Sequence, residues 1–179
     1  LPQQTKDAIR TFQRQLEEKI PTVRWTPSEN LHLTLNFFGD TPQETLEKIK
    51  VSMLSVKRRH RPFQVEVKGL GAFPNQHRPR IIWLGLEPKS PLIKLHQDCR
   101  LFLVQAGITV EARSYSPHLT IGRIRKQSRD VTELFRSIGE ASIGWLPVNK
   151  LTLFESRLCP DGAEHIPLLT VELDEFKEL

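Results

Sequence analysis

Several features that define common protein classes are missing from this sequence of 179 residues. It has only two cysteines, Cys99 and Cys159, which is too few for a disulfide framework, so we expect two free thiols in a reducing cytoplasm. No apolar run approaches the ~18 residues that a membrane-spanning helix needs, and no secretory signal is visible. A Walker-type phosphate loop, a dinucleotide-binding fingerprint and a nucleophile elbow are also absent, so ATP-driven and nicotinamide-dependent functions lose support.

The composition that is present is typical of one globular domain. With 38% hydrophobic and 26% charged residues the chain can bury a core, and we assign residues 1–179 to a single two-lobed domain. The formal net charge of +5 suits a polyanionic partner such as RNA. We interpret the basic cluster Lys57–Arg61 as a solvated last helical turn. A second basic cluster consists of Arg123, Arg125, Lys126 and Arg129.

One short phrase occurs once in each half of the chain. His32–Leu35 reads His-Leu-Thr-Leu, and His118–Ile121 reads His-Leu-Thr-Ile. Both copies lie in apolar stretches typical of buried strands, and side chains at i and i+2 of a strand share a face. Each copy therefore predicts a strand that displays one imidazole and one hydroxyl on one face. Two such strands side by side would bring two titratable groups to one cleft.

This pair of histidines suits acid–base chemistry. The ordinary pKa of histidine lies near neutral pH, so one imidazole can act as a base while a second acts as an acid. In-line displacement at phosphorus needs both roles at once. Thr34 and Thr120 add neutral donors for the non-bridging oxygens, and Arg123 supplies positive charge for the transition state. With His32 and His118, these residues predict a metal-free phosphodiesterase site.

Two other interpretations of the histidines stay open. A lone histidine on a strand is usually structural, and it is the repetition of the phrase that favours catalysis. A zinc site needs a third ligand, and neither copy has a Cys, Asp or Glu at ligand spacing, so we expect no metal and no cofactor. The remaining histidines lie in unrelated contexts, although His165 falls in a loop that could border the cleft: His60, His77, His96 and His165.

Hydrophobic periodicity predicts a mixture of helices and short strands. Helices are expected at residues 3–19, from a capping box at Thr41–Glu44 to about Lys57, from Ser90 through Ala106, and in a short segment ending at Gly139. Strands are expected near residues 63–68, 81–86, 108–111, 118–124, 148–155 and 168–173. This pattern indicates an α+β fold.

The residues around the two phrases resemble those of a known family. Asn30–Asp40 and Ser116–Arg123 are similar to the paired signature of the two-histidine phosphoesterases, in particular the bacterial and archaeal RNA 2′,3′-cyclic phosphodiesterases, also called 2′-5′ RNA ligases. Further similarity lies in Gly71–Asn75, Arg80–Gly85 and Leu153–Ser156. The resemblance therefore extends over nearly the whole chain.

The resemblance implies a bilobal α+β fold with two antiparallel sheets in pseudo-twofold symmetry, a central cleft and helices outside. It also implies metal-free hydrolysis of a 2′,3′-cyclic phosphate to a 2′-phosphate, with reversible 2′-5′ ligation as a related activity. By position, His32 matches the donor to the leaving 3′ oxygen and His118 the base that activates water. Thr34 and Thr120 match residues that hold phosphate oxygens, and Arg123 one that assists them.

The chain departs from the family pattern in two places. Family members usually open with a strand before Leu-Pro, whereas this sequence begins at Leu1, and we expect that strand to have been trimmed. Where the family often has a tyrosine before x-Pro, this chain has His165, which would alter contacts to the base or ribose.

The expected partners of the protein are RNA ends or small nucleotides with a 2′,3′-cyclic phosphate. We expect it to be a monomer that does not bind membranes. A non-catalytic RNA-end binding module, using aromatics such as Phe37, Phe73 and Trp83, is the alternative function. A metal-dependent hydrolase is a third possibility, which a chelator would test.

Overall fold

The computed structural model of the protein describes residues 1–110, 114–124, 130–159 and 162–174. Over these residues the chain forms an α+β fold, as the sequence predicts. Its helices are α1 (Gln3–Glu17), α2 (Gln43–Lys57), α3 (Lys89–Gln105) and α4 (Thr132–Ile138). Its strands are β1 (Val23–Trp25), β2 (Phe63–Phe73), β3 (Ile81–Glu87), β4 (His118–Ile124), β5 (Ser142–Val148), β6 (Lys150–Cys159) and β7 (Gly162–Glu172).

The chain divides into two compact units, each assembled from three segments. The first unit comprises Leu1–Thr34, Val65–Lys89 and Pro117–Leu146. The second unit comprises Leu35–Gln64, Ser90–Ser116 and Pro147–Leu179. Both histidines and both threonines of the repeated phrase therefore belong to the first unit.

A five-stranded sheet with the order β1-β4-β3-β2-β5 is the scaffold of the first unit. β4 lies between β1 and β3, and it is antiparallel to both. One face of the sheet carries an apolar core of fully buried side chains: Val65, Val67, Ile82, Leu84, Leu86, Leu119 and Ile121. Because alternate side chains of a strand point to opposite faces, Trp83, His118 and Thr120 lie on the other face.

A buried amide ties helix α1 to this sheet. Gln13 is fully buried in α1, beside the apolar residues Ile9 and Leu16. Its Nε2 donates hydrogen bonds of 2.9 Å to the carbonyl oxygens of Thr26 and Ile121. The backbone N–H of Thr26 also donates to the Ile121 carbonyl at 2.9 Å. The amide therefore fixes the chain that leaves β1 against the middle of β4.

The second unit contains the two-stranded sheet of β6 and β7, which are antiparallel. Helix α2 packs against both strands. The core of this unit is formed by Ile49, Leu103, Ile108 and Leu153. Helix α3 ends as the sequence predicts, because Gly107 has a φ of 77°, which a residue with a side chain rarely adopts.

The predicted strand at His32–Leu35 is not formed. Within this segment only Leu33 pairs, through an isolated bridge to Leu119, and the chain bends at Leu35. β1 and Thr26 already occupy the adjacent edge of β4 from Ile121 to Ile124. The returning chain can therefore meet β4 only beyond that point, which shortens the pairing to one residue.

Two further predictions about local structure are wrong. The capping box at the start of α2 is not formed, because the Thr41 hydroxyl donates to the carbonyl of Gly39 at 3.0 Å and Pro42 takes the cap position. Residues 108–110 form no strand, since the buried side chain of Ile108 packs in the second unit's core directly after α3 ends. The rest of that predicted strand lies outside the described residues.

Both cysteines are free thiols, and they are expected to differ in reactivity. Burial, together with the nearby charge of Asp98, raises the pKa of the Cys99 thiol to about 12, whereas Cys159 is exposed at the end of β6. Because only the thiolate reacts, iodoacetamide at mildly alkaline pH should alkylate Cys159 quickly and Cys99 only after unfolding. Peptide mass spectrometry over time measures both rates, and equal rates in the folded protein would contradict this prediction.

Candidate active site

The two copies of the repeated phrase lie side by side. The bridge between Leu33 and Leu119 is antiparallel, so the neighbours of one residue face the neighbours of the other in reverse order. This register places His32 beside Thr120 and Thr34 beside His118. The sequence prediction that the two copies are adjacent is therefore supported, although the first copy is a bridge and not a strand.

The second copy follows the predicted alternation along β4. Leu119 and Ile121 are fully buried, whereas His118 and Thr120 are half-buried on the opposite face. On the neighbouring strand β3, Gly85 lies opposite His118 and Trp83 lies opposite Thr120. A Cβ atom at Gly85 would lie 2.6 Å from the carbonyl oxygen of Lys68, so a glycine is needed opposite the imidazole.

The first copy is oriented by the turn that precedes it. A 3-10 turn spans Ser28–Asn30, and Nδ1 of His32 lies 2.7 Å from the carbonyl oxygen of Asn30. A carbonyl oxygen only accepts hydrogen bonds, so Nδ1 must carry the hydrogen in this contact. The contact therefore assigns Nε2 as the nitrogen that can exchange a proton with a substrate.

A β-bulge determines the face to which Arg123 belongs. In a regular strand Arg123, five residues after His118, would point away from it. Across the pairing of β3 with β4 the register shifts between Ile82 and Trp83, which leaves one extra residue on β4. Arg123 therefore pairs with Ile81, on the same face as Trp83 and hence as Thr120 and His118. Bulges of this kind re-aim side chains next to functional sites.

Gly122 makes this bulge possible. A Cβ atom at this position would collide with Cγ1 of Val23 and lie 3.1 Å from the Trp25 ring. The absence of a side chain lets β1 pack closely on β4 at the bulge. Gly122 directly follows the repeated phrase, so the sequence contains a local signal for the bulge.

Two aromatic rings pack against His118. The Phe73 ring meets the imidazole edge-on at a centroid distance of 5.0 Å, and the Trp83 ring lies 6.2 Å from it. Phe73 and Trp83 also contact each other at 5.3 Å. The sequence suggests both residues only as possible base-stacking groups and does not predict that they hold the imidazole. The available signal is the alternation on β3, where Trp83 is half-buried between the buried residues Ile82 and Leu84.

Trp83 fits only because Gly71 lies beneath it. Gly71 is the cross-strand partner of Trp83, and a Cβ atom there would lie inside contact distance of the indole, 2.5 Å from Cε2. The indole Nε1 is buried and has no hydrogen-bond partner among the described residues. Packing against the Gly71 backbone, and not a hydrogen bond, therefore positions this ring.

The other four histidines are engaged elsewhere. His60 lies 2.8 Å from the Asp98 carboxylate, and His165 lies 2.9 Å from the Ser156 hydroxyl. The His96 ring stacks on Tyr115 at 4.3 Å, and its pKa is lowered by burial and then by Arg100. His77 hydrogen-bonds Asp130 at 2.7 Å, and this contact holds the pKa of that carboxyl well below its usual range.

The described parts of the chain contain neither a candidate metal site nor a candidate membrane-spanning helix. No three His, Cys, Asp or Glu side chains among residues 1–110, 114–124, 130–159 and 162–174 converge as a metal site would require. Among those same residues no helix is long and apolar enough to cross a membrane. Of the second basic cluster only Arg123 can be placed, since Arg125, Lys126 and Arg129 lie outside the described residues.

The chain is similar to characterised families in sequence and in structure. The family model described as LigT like Phosphoesterase matches it twice, over residues 1–83 and 84–164. An RNA 2′,3′-cyclic phosphodiesterase of Methanothermobacter thermautotrophicus is 33% identical over 159 residues, which cover 88% of this chain and 86% of the relative.

Solved structures with the same fold include TT0787 of Thermus thermophilus, with a TM-score of 0.80 at 25% identity over 97% of this chain and 93% of that one. Escherichia coli LigT complexed with 3′-AMP has a TM-score of 0.76 at 24% identity, over 98% of this chain and 94% of that one. The predicted two-histidine phosphoesterase fold is therefore confirmed. Each of the two family matches contains one copy of the repeated phrase, and the chain belongs to the LigT-like phosphoesterase family.

Proposed function

We propose that this protein is an RNA 2′,3′-cyclic phosphodiesterase that hydrolyses cyclic phosphate ends to 2′-phosphomonoesters by metal-free catalysis with two histidines. The observation that carries the proposal is the bridge between Leu33 and Leu119, which sets one His-Leu-Thr phrase beside the other. Relatives over most of the chain's length carry the name of this activity. The two imidazoles supply the acid and the base that in-line displacement needs.

In the proposed mechanism His118 takes a proton from a water molecule as that water attacks phosphorus. The bond between phosphorus and O3′ breaks, and His32 donates its Nε2 proton to O3′, which leaves as the 3′ hydroxyl. The phosphate stays on O2′. The Asn30 carbonyl accepts a hydrogen bond from Nδ1 of His32, which stabilises the charged imidazolium before the transfer. Proton exchange with water then resets both rings.

Three further residues are proposed to bind the phosphate. Thr34 and Thr120 would donate hydroxyl hydrogen bonds to the non-bridging oxygens, since the antiparallel register sets each beside the other copy's histidine. Arg123, brought to this face by the bulge, would offset the negative charge that grows in the transition state. Removing one such donor typically costs about 10²–10³ in kcat.

The proposal also covers the domain organisation, the oligomeric state, the location and the ligands of the protein. We take residues 1–179 as one phosphoesterase domain, because the segments of its two units alternate along the chain. We expect a cytoplasmic monomer that acts on RNA ends or small cyclic nucleotides. We also expect reversible 2′-5′ ligation, in which a 5′ hydroxyl attacks phosphorus in place of water, the bond to O3′ breaks and a 2′-5′ linkage forms. E. coli LigT, a relative in fold, has been crystallised with 3′-AMP and with ATP, which supports a nucleotide ligand here.

The direct test is turnover of an oligoribonucleotide that ends in a 2′,3′-cyclic phosphate, with and without excess chelator. We expect hydrolysis to a 2′-phosphate at the same rate in both conditions, measured by chromatography against 2′- and 3′-phosphate standards. A 3′-phosphate product would overturn the role given to His32. Loss of activity with the chelator would overturn the metal-free mechanism, and tight binding without turnover at any pH would favour an RNA-end binding module.

A further inference from the structure

Two arginines lie directly opposite each other on neighbouring strands of the first unit. Arg24 of β1 is the cross-strand partner of Arg123 of β4, and both are exposed. Directly opposite residues of an antiparallel pair share a face and have Cα atoms about 4.5–5.5 Å apart. Arg24 therefore lies on the face that carries His118 and Thr120.

This arrangement favours a bound anion. A guanidinium group presents a fork of donors that matches the oxygens of a phosphate diester. The pairing of Arg24 with Arg123 therefore places two groups suited to phosphate at this end of the sheet.

The two arginines lie some distance along the sheet from His118 and Thr120. Thr120 lies opposite Trp83 and Arg123 opposite Ile81, so these rows are two residues of β3 apart, which is roughly 7 Å. His118, opposite Gly85, lies a further roughly 7 Å away. One cyclic phosphate held between the histidines is in reach of the long Arg123 side chain, whereas Arg24 lies on the edge of β4 that also carries His32.

We infer that Arg24 binds the phosphodiester that precedes the terminal nucleotide, so that the preferred substrate is an RNA strand and not a mononucleotide. This inference rests on the proposed function. With His32 as the donor to O3′, the ribose lies on the His32 side of the phosphate. His32 and Arg24 belong to the same chain segment along one edge of β4. The strand that leaves the ribose through its 5′ phosphodiester therefore leaves on the side of Arg24.

The test compares two cyclic phosphates, a mononucleoside and a dinucleotide with one internucleotide linkage, in the native protein and in Arg24→Gln. The native protein should prefer the dinucleotide by about tenfold in kcat/KM, as one charge-assisted contact provides. In Arg24→Gln this preference should fall to within about twofold of parity, with Arg24→Lys intermediate. A dinucleotide with an uncharged methylphosphonate linkage should show no preference in either protein.

Arg14→Gln is the matched control, because it removes the same charge from an exposed position on α1. An unchanged preference in Arg24→Gln, an equal loss in Arg14→Gln, or a preference that survives in the methylphosphonate would each overturn the inference.

A binding measurement distinguishes failure of this inference from failure of the proposed function. Affinity for a dinucleotide that ends in a 2′-phosphate is measured against salt, and needs no turnover. Arg24→Gln should lower the slope of log affinity against log salt by about 0.7, the value for one phosphate of a single strand. A protein that turned over neither cyclic phosphate but showed this change would refute the activity and retain the Arg24 site. An unchanged slope would refute the site.

Discussion

Replacing either His32 or His118 with alanine is expected to lower kcat/KM on RNA ending in a 2′,3′-cyclic phosphate by about 10²–10⁴, the usual contribution of one acid–base group. Both variants should remain folded. The contacts of His118 with Phe73 and Trp83 are each worth about 0.5–1.5 kcal/mol, so the Tm of His118→Ala should fall by about 3–10 °C at most. The double variant should be little worse than the worse single one, since the two groups act in one step.

The pH profile of each variant distinguishes the two roles. The native protein should show a bell-shaped kcat/KM, because one imidazole must be neutral and the other protonated. Loss of the base in His118→Ala removes the limb that rises from acid pH. Loss of the acid in His32→Ala removes the limb that falls toward alkaline pH. His77→Ala is the matched control, since that ring is 72% exposed and pairs with Asp130. Full activity in either site variant would refute the mechanism, and exchanged limbs would reverse the roles.

The sequence could predict the candidate catalytic pair because the relevant signals are local. The alternation of buried and half-buried residues from His118 to Ile121 is visible in the order of residue types, and β4 shows it. The first copy has the same pattern but not the same structure. Pairing depends on which edge of β4 is still available, and β1 and Thr26 occupy most of it. No periodicity within Leu31–Phe38 carries that information.

The position of Arg123 shows a second limit of sequence reasoning. Its charge and the family resemblance point to this residue, yet its spacing from His118 predicts the opposite face of a regular strand. The bulge that brings Arg123 to the face of His118 arises from the pairing of β3 with β4. It also depends on the close packing of Val23 and Trp25 against Gly122. The glycine directly after the repeated phrase indicates a β-bulge, but it does not reveal to which face the next side chain points.

Strand β5 was missed for a different reason. Ser142–Val148 contains Gly144 and Pro147, which both argue against a strand in the interior of a sheet. The strand order places β5 at the edge of the sheet, where a proline costs less because one side of the strand needs no partner. Its exposed Trp145, at 60%, also breaks the pattern expected of a core strand. Whether a strand is at an edge is a fact of topology, so the residues alone could not settle it.

Gly71→Ala is expected to have the largest effect of any single methyl group added near the site. The new Cβ would lie inside contact distance of the Trp83 indole, which packs against Phe73 and His118 in turn. Overpacking of this kind costs about 1–3 kcal/mol, so the Tm should fall by about 3–10 °C. A displaced indole would also shift the imidazole, and misplacing a catalytic group by about 1 Å can lower kcat/KM by about 10²-fold.

The cause can be isolated with a double-mutant cycle in which Trp83→Phe is combined with Gly71→Ala. A phenylalanine ring is smaller than an indole and should leave room for the new methyl, so the double variant should have a higher Tm than Gly71→Ala alone. Calorimetry and kcat/KM are measured on all four proteins. If Gly71→Ala were as stable and active as the native protein, the indole would not be held against this backbone. If Trp83→Phe failed to restore stability, the cost of the methyl group would come from the backbone at Gly71 and not from its contact with the ring.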